Sequence, residues 1–376
     1  MSDIRTPHAL KATHAPLSET YDLVLLDLDG VVYRGKDPVE HAADGIADAE
    51  RHGMQISYTT NNPSRYPHTV AEQLEGFGLR VADNQVITSA IVAARMLADR
   101  LPQGSRVLVV GREHLCEEIE KNGLTVVHTA AEHPDAVIQS WHQDLSWAEL
   151  AEASYAIAQG ARYFVTNKDL TIPREGGIAP GNGAMQLPVI TATGVRPEGS
   201  AGKPEAAMYD ESRQLFSKTA SLVPVDRSLP CGDRLDTDIE AANRGGYDSL
   251  VVLTGVADPA QILTAAPLQR PTYVAADLRG LNRVQPAVER GADGSFRCGD
   301  AVARCDGRTV RIDIGGRPVD APDTLDALRA ACDCAWAAVD ENGADPEALR
   351  LPDFAPVLHE ADEADGAYGT GTDGSR

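Results

Sequence analysis

Two acids separated by one residue end an apolar run: residues 23–30 read Leu-Val-Leu-Leu-Asp-Leu-Asp-Gly. Residues 23–26 have the length and composition of a buried strand, and the charges appear where that strand stops. Ligands collect at the C-terminal edge of a parallel sheet, so Asp27 and Asp29 are placed for chemistry rather than packing. Gly30 lets the backbone come close to whatever they hold and is a candidate substrate contact. A second acidic group, Gly232-Asp233-Arg234-Leu235-Asp236-Thr237-Asp238, spans a strand-to-helix turn. One cap residue satisfies only part of a helix N-terminus, so three aspartates exceed what capping needs, and hard oxygen ligands for magnesium are the economical reading.

Neutral and basic groups accompany these acids. Residues 54–60 read as a strand that ends in Thr59-Thr60-Asn61-Asn62-Pro63-Ser64, a cluster of hydroxyl and amide groups. Short uncharged donors such as Thr60 and Asn61 can bind a phosphate oxygen without adding charge beside a carboxylate. Ser64 suits helix capping at least as well as a ligand role. Lys203, in Gly202-Lys203-Pro204, precedes a helical pattern over residues 205–216. With Pro204 in the first turn, Lys203 is expected at a helix N-terminus, where peptide dipoles and N–H groups favour anions.

Composition bounds the partners. The chain has 376 residues, enough for two or three compact units, and a formal net charge of -22. That charge argues against nucleic acid and anionic lipid, so an anionic small substrate needs a local positive site. No apolar run approaches a membrane span and the N-terminus lacks a secretory pattern, which predicts a cytoplasmic protein with no membrane partner. Six cysteines, four of them at 298, 305, 332 and 334, match no usual zinc spacing and read as small reduced thiols.

The elements that must position these groups follow from periodicity. Residues 1–18 lack it and are expected to form a mobile arm. A helix over residues 39–53 between the first two strands gives a β-α-β start. Residues 85–193 alternate helix and strand patterns and form a separate α/β unit. Near its end, 166–173 and 180–183 are loop-like by their Gly and Pro content. Residues 295–305 and 309–314 are alternating segments joined at Asp306-Gly307, a hairpin signal, and 324–339 form a helix with one apolar face. Residues 360–376, rich in Asp, Glu and Gly, read as a disordered acidic tail. Pro224 and Pro230 predict a short strand before Asp233.

Asp27-x-Asp29, Thr60, Lys203 and Asp233-x4-Asp238, in this order, resemble the four motifs of the haloacid dehalogenase superfamily, over about residues 21–282. The Thr-Asn-Asn-x-Ser form is similar to the subgroup of nitrophenyl-phosphatases and sugar-phosphate phosphatases. Leu253-Thr254-Gly255-Val256, Arg270-Pro271-Thr272-Tyr273 and Asp277-Leu278-Arg279 extend the likeness to actinobacterial-type glycerol 3-phosphate phosphatases. The resemblance implies an α/β fold: a Rossmann-like parallel-sheet core (residues 19–84 and 194–282), an inserted α/β cap domain (85–193) and a small α+β C-terminal module (283–359). Acetyltransferase-like in relatives, that module lacks a glycine-rich pyrophosphate loop here and reads as a docking or stability module.

The resemblance also implies a magnesium-dependent phosphomonoester hydrolase acting through an aspartyl-phosphate. Asp27 would be the nucleophile and Asp29 the general acid and base, with Thr60 and Lys203 also catalytic. Asp27, the Asp29 backbone carbonyl, Asp233 and Asp238 would hold the metal. Ile172 and Arg174 of the cap loop would contact the leaving group, with Gly30, Asn61 and Asn62 as further substrate contacts. The expected partner is a small-molecule phosphate ester, glycerol 3-phosphate first and nucleotide or sugar monophosphates second. Pairing of caps implies a possible homo-oligomer. A reading of another class is a non-catalytic binding or regulatory protein on the same fold.

Overall fold

The computed structural model describes residues 8–174, 176–216 and 222–360. Chain contacts divide the protein into two compact units, Met1–Ile56 with Pro224–Arg376, and Ser57–Val223. The first unit opens with a single turn, α1 (Leu17–Thr20), and the strand β1 (Leu23–Asp27). Leu23, Val24, Leu25 and Leu26 are all fully buried, as expected of a strand covered on both faces. The Leu28 carbonyl then accepts from the N–H groups of Val31, Val32 and Tyr33, which turns the chain sharply. A small hairpin follows, β2 (Tyr33–Arg34) with β3 (Asp37–Pro38), then α2 (Ala42–Arg51) and β4 (Gln55–Thr60), which runs across the unit boundary.

The second unit continues with α3 (Pro67–Gly76), β5 (Val86–Thr88), α4 (Ser89–Arg100), β6 (Arg106–Val110), α5 (Glu113–Lys121), β7 (Thr125–Val127), β8 (Ala136–Gln139), α6 (Trp147–Ala158) and β9 (Arg162–Val165). Then come β10 (Thr171–Arg174), β11 (Gly177–Pro180), α7 (Asn182–Thr193), β12 (Gly199–Ser200) and α8 (Ala207–Phe216). Five strands form a parallel sheet in the order β12-β9-β8-β6-β7, flanked by helices, while β4 and β5 pair in parallel. The alternation of short apolar strands and helices produces this α/β architecture.

Back in the first unit, β13 (Ser228–Gly232) leads into a π-turn over Leu235–Ile239, α9 (Glu240–Gly245), β14 (Leu250–Val252), α10 (Pro259–Leu263) and β15 (Tyr273–Ala275). Strands β15, β14, β13 and β1 are neighbours in that order, all parallel. This is the Rossmann-like core. The chain ends in an antiparallel sheet of β16 (Glu289–Arg290), β17 (Phe296–Cys298), β18 (Ala301–Asp306), β19 (Thr309–Ile314) and β20 (Arg317–Val319), backed by α11 (Leu325–Asp340).

Several local expectations need correction. Residues 8–18 are no mobile arm: Lys11 N–H donates to the Thr272 carbonyl and Thr13 N–H to the Gln285 carbonyl, and Leu17 is fully buried. Residues 1–7 and 361–376 lie outside the described residues, and Glu360 of the expected tail pairs with Arg329. Residues 295–305 are two strands, because Gly299 at a φ of 52° breaks the run. The loop-like segment 166–183 contains the β10–β11 hairpin. Helix α8 begins at Ala207, so Lys203 and Pro204 lie in a preceding turn closed by Glu205 N–H to the Gly202 carbonyl rather than at the helix N-terminus. Pro230 sits inside β13, whose ladder to β14 begins one residue later at Cys231.

Candidate active site

In the first unit, β1 and β13 run side by side with Leu26 opposite Cys231, so the residues that follow each strand emerge at one sheet edge. Asp27 ends β1, Asp233 follows β13, and Asp238 lies on the π-turn. Such single π-turns are frequent at functional sites. Each of the three carboxylates offers an oxygen within 4.8 Å of the others, and Asp233 and Asp238 are each 1% exposed. Two like charges at 4.8 Å repel by roughly 3 to 4 kcal/mol at an effective dielectric near 20. A hard divalent cation converts that repulsion into attraction, and an all-carboxylate oxygen set suits magnesium.

Glycines clear the space for these acids. A Cβ on Gly30 or on Gly255 would overlap the Asp233 carboxylate, and one on Gly232 would overlap that of Asp238. Backbone donors then orient the carboxylates: Val256 N–H reaches Asp233 Oδ2 at 2.8 Å, and Arg234 N–H reaches Asp238 Oδ2 at 3.2 Å. Ala257 N–H also donates to the Asp233 carbonyl at 2.8 Å. Thr254 closes the ring, donating its hydroxyl to the Gly30 carbonyl at 2.7 Å while its own carbonyl accepts from Arg34 Nε. Asp236 points outward, 57% exposed and paired with Arg234. Asp29 is exposed and lies outside the carboxylate cluster.

In the second unit, the end of β4 meets the turn at Lys203. Asn61 Oδ1 accepts from the Lys203 N–H at 2.8 Å, and its Nδ2 donates to the Lys203 carbonyl at 3.0 Å and to the Asp169 carboxylate at 3.0 and 3.2 Å. An amide has two donor hydrogens, and both are committed here. The Asn61 side chain therefore holds Lys203 in place and has no donor left for a phosphate oxygen. The Asn61 carbonyl accepts from Ser89 Oγ and Asn167 Nδ2. Thr60 Oγ1 accepts from Asn62 N–H at 3.1 Å, and Asn62 Oδ1 from Ser64 N–H at 2.9 Å. Lys203 is 1% exposed, with Nζ 5.9 Å from the centroid of the Tyr209 ring.

Of the residues singled out from sequence, Asp27, Asp233 and Asp238 come together in the first unit, and Asn61 and Lys203 in the second, with Thr60 preceding Asn61 at the end of β4. Ile172 and Arg174 share β10, with Ile172 half-buried. Sequence reasoning missed the roles of Gly232, Thr254, Gly255, Val256 and Asp169. A small residue after the apolar run of β14, at the same edge as Asp27, was the available signal for Gly255. Nothing in the loop composition marked Asp169 as the partner of Asn61.

Residues 24–125 match the family model described as haloacid dehalogenase-like hydrolase, and 200–281 match a HAD-hydrolase-like model. The chain is 40% identical over 267 residues to D-glycerol 3-phosphate phosphatase of Mycobacterium tuberculosis, covering 71% of this chain and 72% of that protein. It is 34% identical over 238 residues to a 5'-nucleotidase of Bacillus subtilis, covering 63% of this chain and 89% of the relative. The crystal structure of glycerol phosphate phosphatase from Mycobacterium tuberculosis in complex with magnesium superposes with a TM-score of 0.76 at 34% identity, covering 95% of this chain and 97% of that one.

Proposed function

The chain belongs to the haloacid dehalogenase-like hydrolases, and from that premise we propose that it is a magnesium-dependent phosphomonoester hydrolase acting on glycerol 3-phosphate. The observation that carries the reading is the convergence of the Asp27, Asp233 and Asp238 carboxylates within 4.8 Å. Magnesium would be held by these three and by the Asp29 backbone carbonyl, and when bound it offsets the charge that keeps a carboxylate from a phosphate. A non-catalytic role on this fold is disfavoured by a complete carboxylate set in a glycine-cleared cradle.

Asp27 attacks phosphorus as the bond to the leaving alkoxide breaks, giving an aspartyl-phosphate. Asp29, exposed and outside the carboxylate cluster, donates a proton to the departing alkoxide. It then removes a proton from the water that attacks phosphorus, which releases inorganic phosphate and restores Asp27. Thr60 and Lys203 stabilise the charge on the transferring oxygens. Gly30, Asn62, Ile172 and Arg174 contact substrate, whereas Asn61 acts through Lys203.

The same reading places the catalytic core at residues 19–84 and 194–282, the cap at 85–193 and the C-terminal module at 283–359. No helix among the described residues is long and apolar enough to cross a membrane, and the six free cysteines support a cytoplasmic location. Trp147 and Tyr155, two turns apart on α6 and 78% and 51% exposed, support a homo-oligomer formed through the cap. Phosphate release from glycerol 3-phosphate, sugar phosphates and nucleoside monophosphates, with and without magnesium, tests the proposal. A higher kcat/KM for glycerol 3-phosphate is expected. Metal-independent turnover contradicts the mechanism, and preference for a nucleotide contradicts the substrate.

A further inference from the structure

The C-terminal module shares its apolar core with the metal-binding end of the catalytic sheet. Leu235 and Ile239, the ends of the π-turn that carries Asp238, belong to one buried cluster with Ile262 and Leu263 of α10 and with Leu328 and Trp336 of α11. Polar contacts fix this packing. Trp336, fully buried, donates Nε1–H to the Ile262 carbonyl at 3.0 Å, a second donor beside the Ala265 N–H at 3.2 Å on the last turn of α10. One turn along α11, Asp340 takes both terminal nitrogens of Arg270 at 2.6 and 2.8 Å. The Arg270 guanidinium lies 5.3 Å from the Trp336 ring centroid, and its Nε donates to the Ala265 carbonyl at 3.2 Å, just past α10.

Helix α10 has only five residues, too few to hold its shape without tertiary contacts. Its cap, Asp258, follows directly on Val256 and Ala257, whose N–H groups hold the Asp233 carboxylate and carbonyl. Displacing α10 therefore displaces the donors that orient Asp233. We propose that Trp336 and Asp340 are positioning residues for the metal site: α11 sets α10, and α10 sets the 255–257 loop around Asp233. The C-terminal module is then part of the catalytic apparatus rather than an appendage. This rests on the reading of Asp27, Asp233 and Asp238 as a magnesium site.

Calorimetric titration of magnesium into the full-length protein tests it without reference to turnover. Trp336→Phe keeps an aromatic ring, though a smaller one, and removes the donor, while Asp340→Asn keeps the shape and weakens the hold on Arg270. Each is expected to weaken magnesium binding about tenfold, the loss typical of removing an outer support of a metal ligand. KM for the phosphate ester at saturating magnesium should not change. Val302→Ala, a buried position on β18 outside the shared cluster, serves as a destabilised control and should keep the wild-type affinity. Unchanged affinity in both test variants overturns the proposal, as does an equal loss in Val302→Ala, which would tie affinity to global stability. A wild-type protein that binds no magnesium overturns the metal-site reading itself, and the premise falls with it.

Discussion

The side chain of Asn61 brackets the backbone of Lys203, accepting from its N–H at 2.8 Å and donating to its carbonyl at 3.0 Å. The two residues lie 142 positions apart in the chain, so this one amide fixes where a distant lysine enters the site. Its remaining donor hydrogen goes to Asp169, which ties the segment before the β10–β11 hairpin to the same point.

Asn61→Asp keeps the oxygen that accepts from Lys203 but turns the donor end into a carboxylate facing both Asp169 and the Lys203 carbonyl. Loss of the paired donors and the added like charge are expected to cost about 2 to 4 kcal/mol of stability. Displacement of Lys203 by an ångström should lower kcat/KM by about a hundredfold. Asn61→Ala removes the bracket without adding charge, so its melting temperature should lie above that of Asn61→Asp. Thermal scans and steady-state kinetics of the two variants check this, and a more stable Asn61→Asp contradicts it.

Gly255→Ala tests the cradle around Asp233. The added Cβ overlaps a carboxylate that the Val256 N–H holds at 2.8 Å, so relief requires breaking that bond or moving the loop. Magnesium affinity should fall by about ten- to a hundredfold, because a ligand's outer support is lost. Raising magnesium should restore most of the rate if the substrate contacts are intact. The measurement is the magnesium concentration at half-maximal activity, with wild type as reference.

Much of this organisation was legible in the sequence, for identifiable reasons. Leu23, Val24, Leu25 and Leu26 form an uninterrupted apolar run because β1 is covered on both faces, and the acids that end it could not be packing residues. Of the three aspartates in the second acidic group, Asp236 faces solvent, since the turn that aims Asp238 inward turns its neighbour out. The role of Asn61 was not legible, and that of Gly255 was marked only by a small residue after the apolar run of β14. The sequence offers Asn61 as a phosphate contact, because nothing local shows that its amide is spent on a partner 142 residues away. Lys203 departs from its expected place for a similar reason: Pro204 suits a first helical turn, but the chain turns once more before α8 begins.

Asp27→Asn and Asp29→Asn separate the two carboxylate roles. Without the nucleophile no phosphoryl-enzyme forms, so Asp27→Asn should lower turnover by more than about a thousandfold on every phosphate ester. Asp29→Asn removes proton transfer, for which about a hundred- to ten-thousandfold is the usual loss. That loss should shrink for esters whose leaving group is a weak base, such as a nitrophenolate, because its departure needs no proton. Comparing glycerol 3-phosphate with nitrophenyl phosphate on Asp29→Asn therefore reports the acid role, and equal losses on both contradict it.

Asp333 gives stability an unusual pH dependence. Its carboxyl lies on the buried face of α11 at 4% exposure, and burial pushes its pKa from 3.8 up to about 7, only partly opposed by the Leu10 N–H at 2.8 Å. A raised acid pKa means that the folded chain keeps a proton which the unfolded chain releases. Between about pH 4 and 7 stability therefore falls as pH rises, by at most about 4 kcal/mol for a shift of this size. Asp340, held low chiefly by its bond to Arg270, contributes in the opposite sense, and its contribution is lost at more acidic pH. Asp333→Asn keeps an oxygen for Leu10 and cannot ionise. Its melting temperature should match wild type near pH 4.5 and exceed it at pH 8. Thermal scans across that range decide the matter, and a variant that is less stable than wild type at pH 8 would show that the ionised carboxylate is satisfied where it lies.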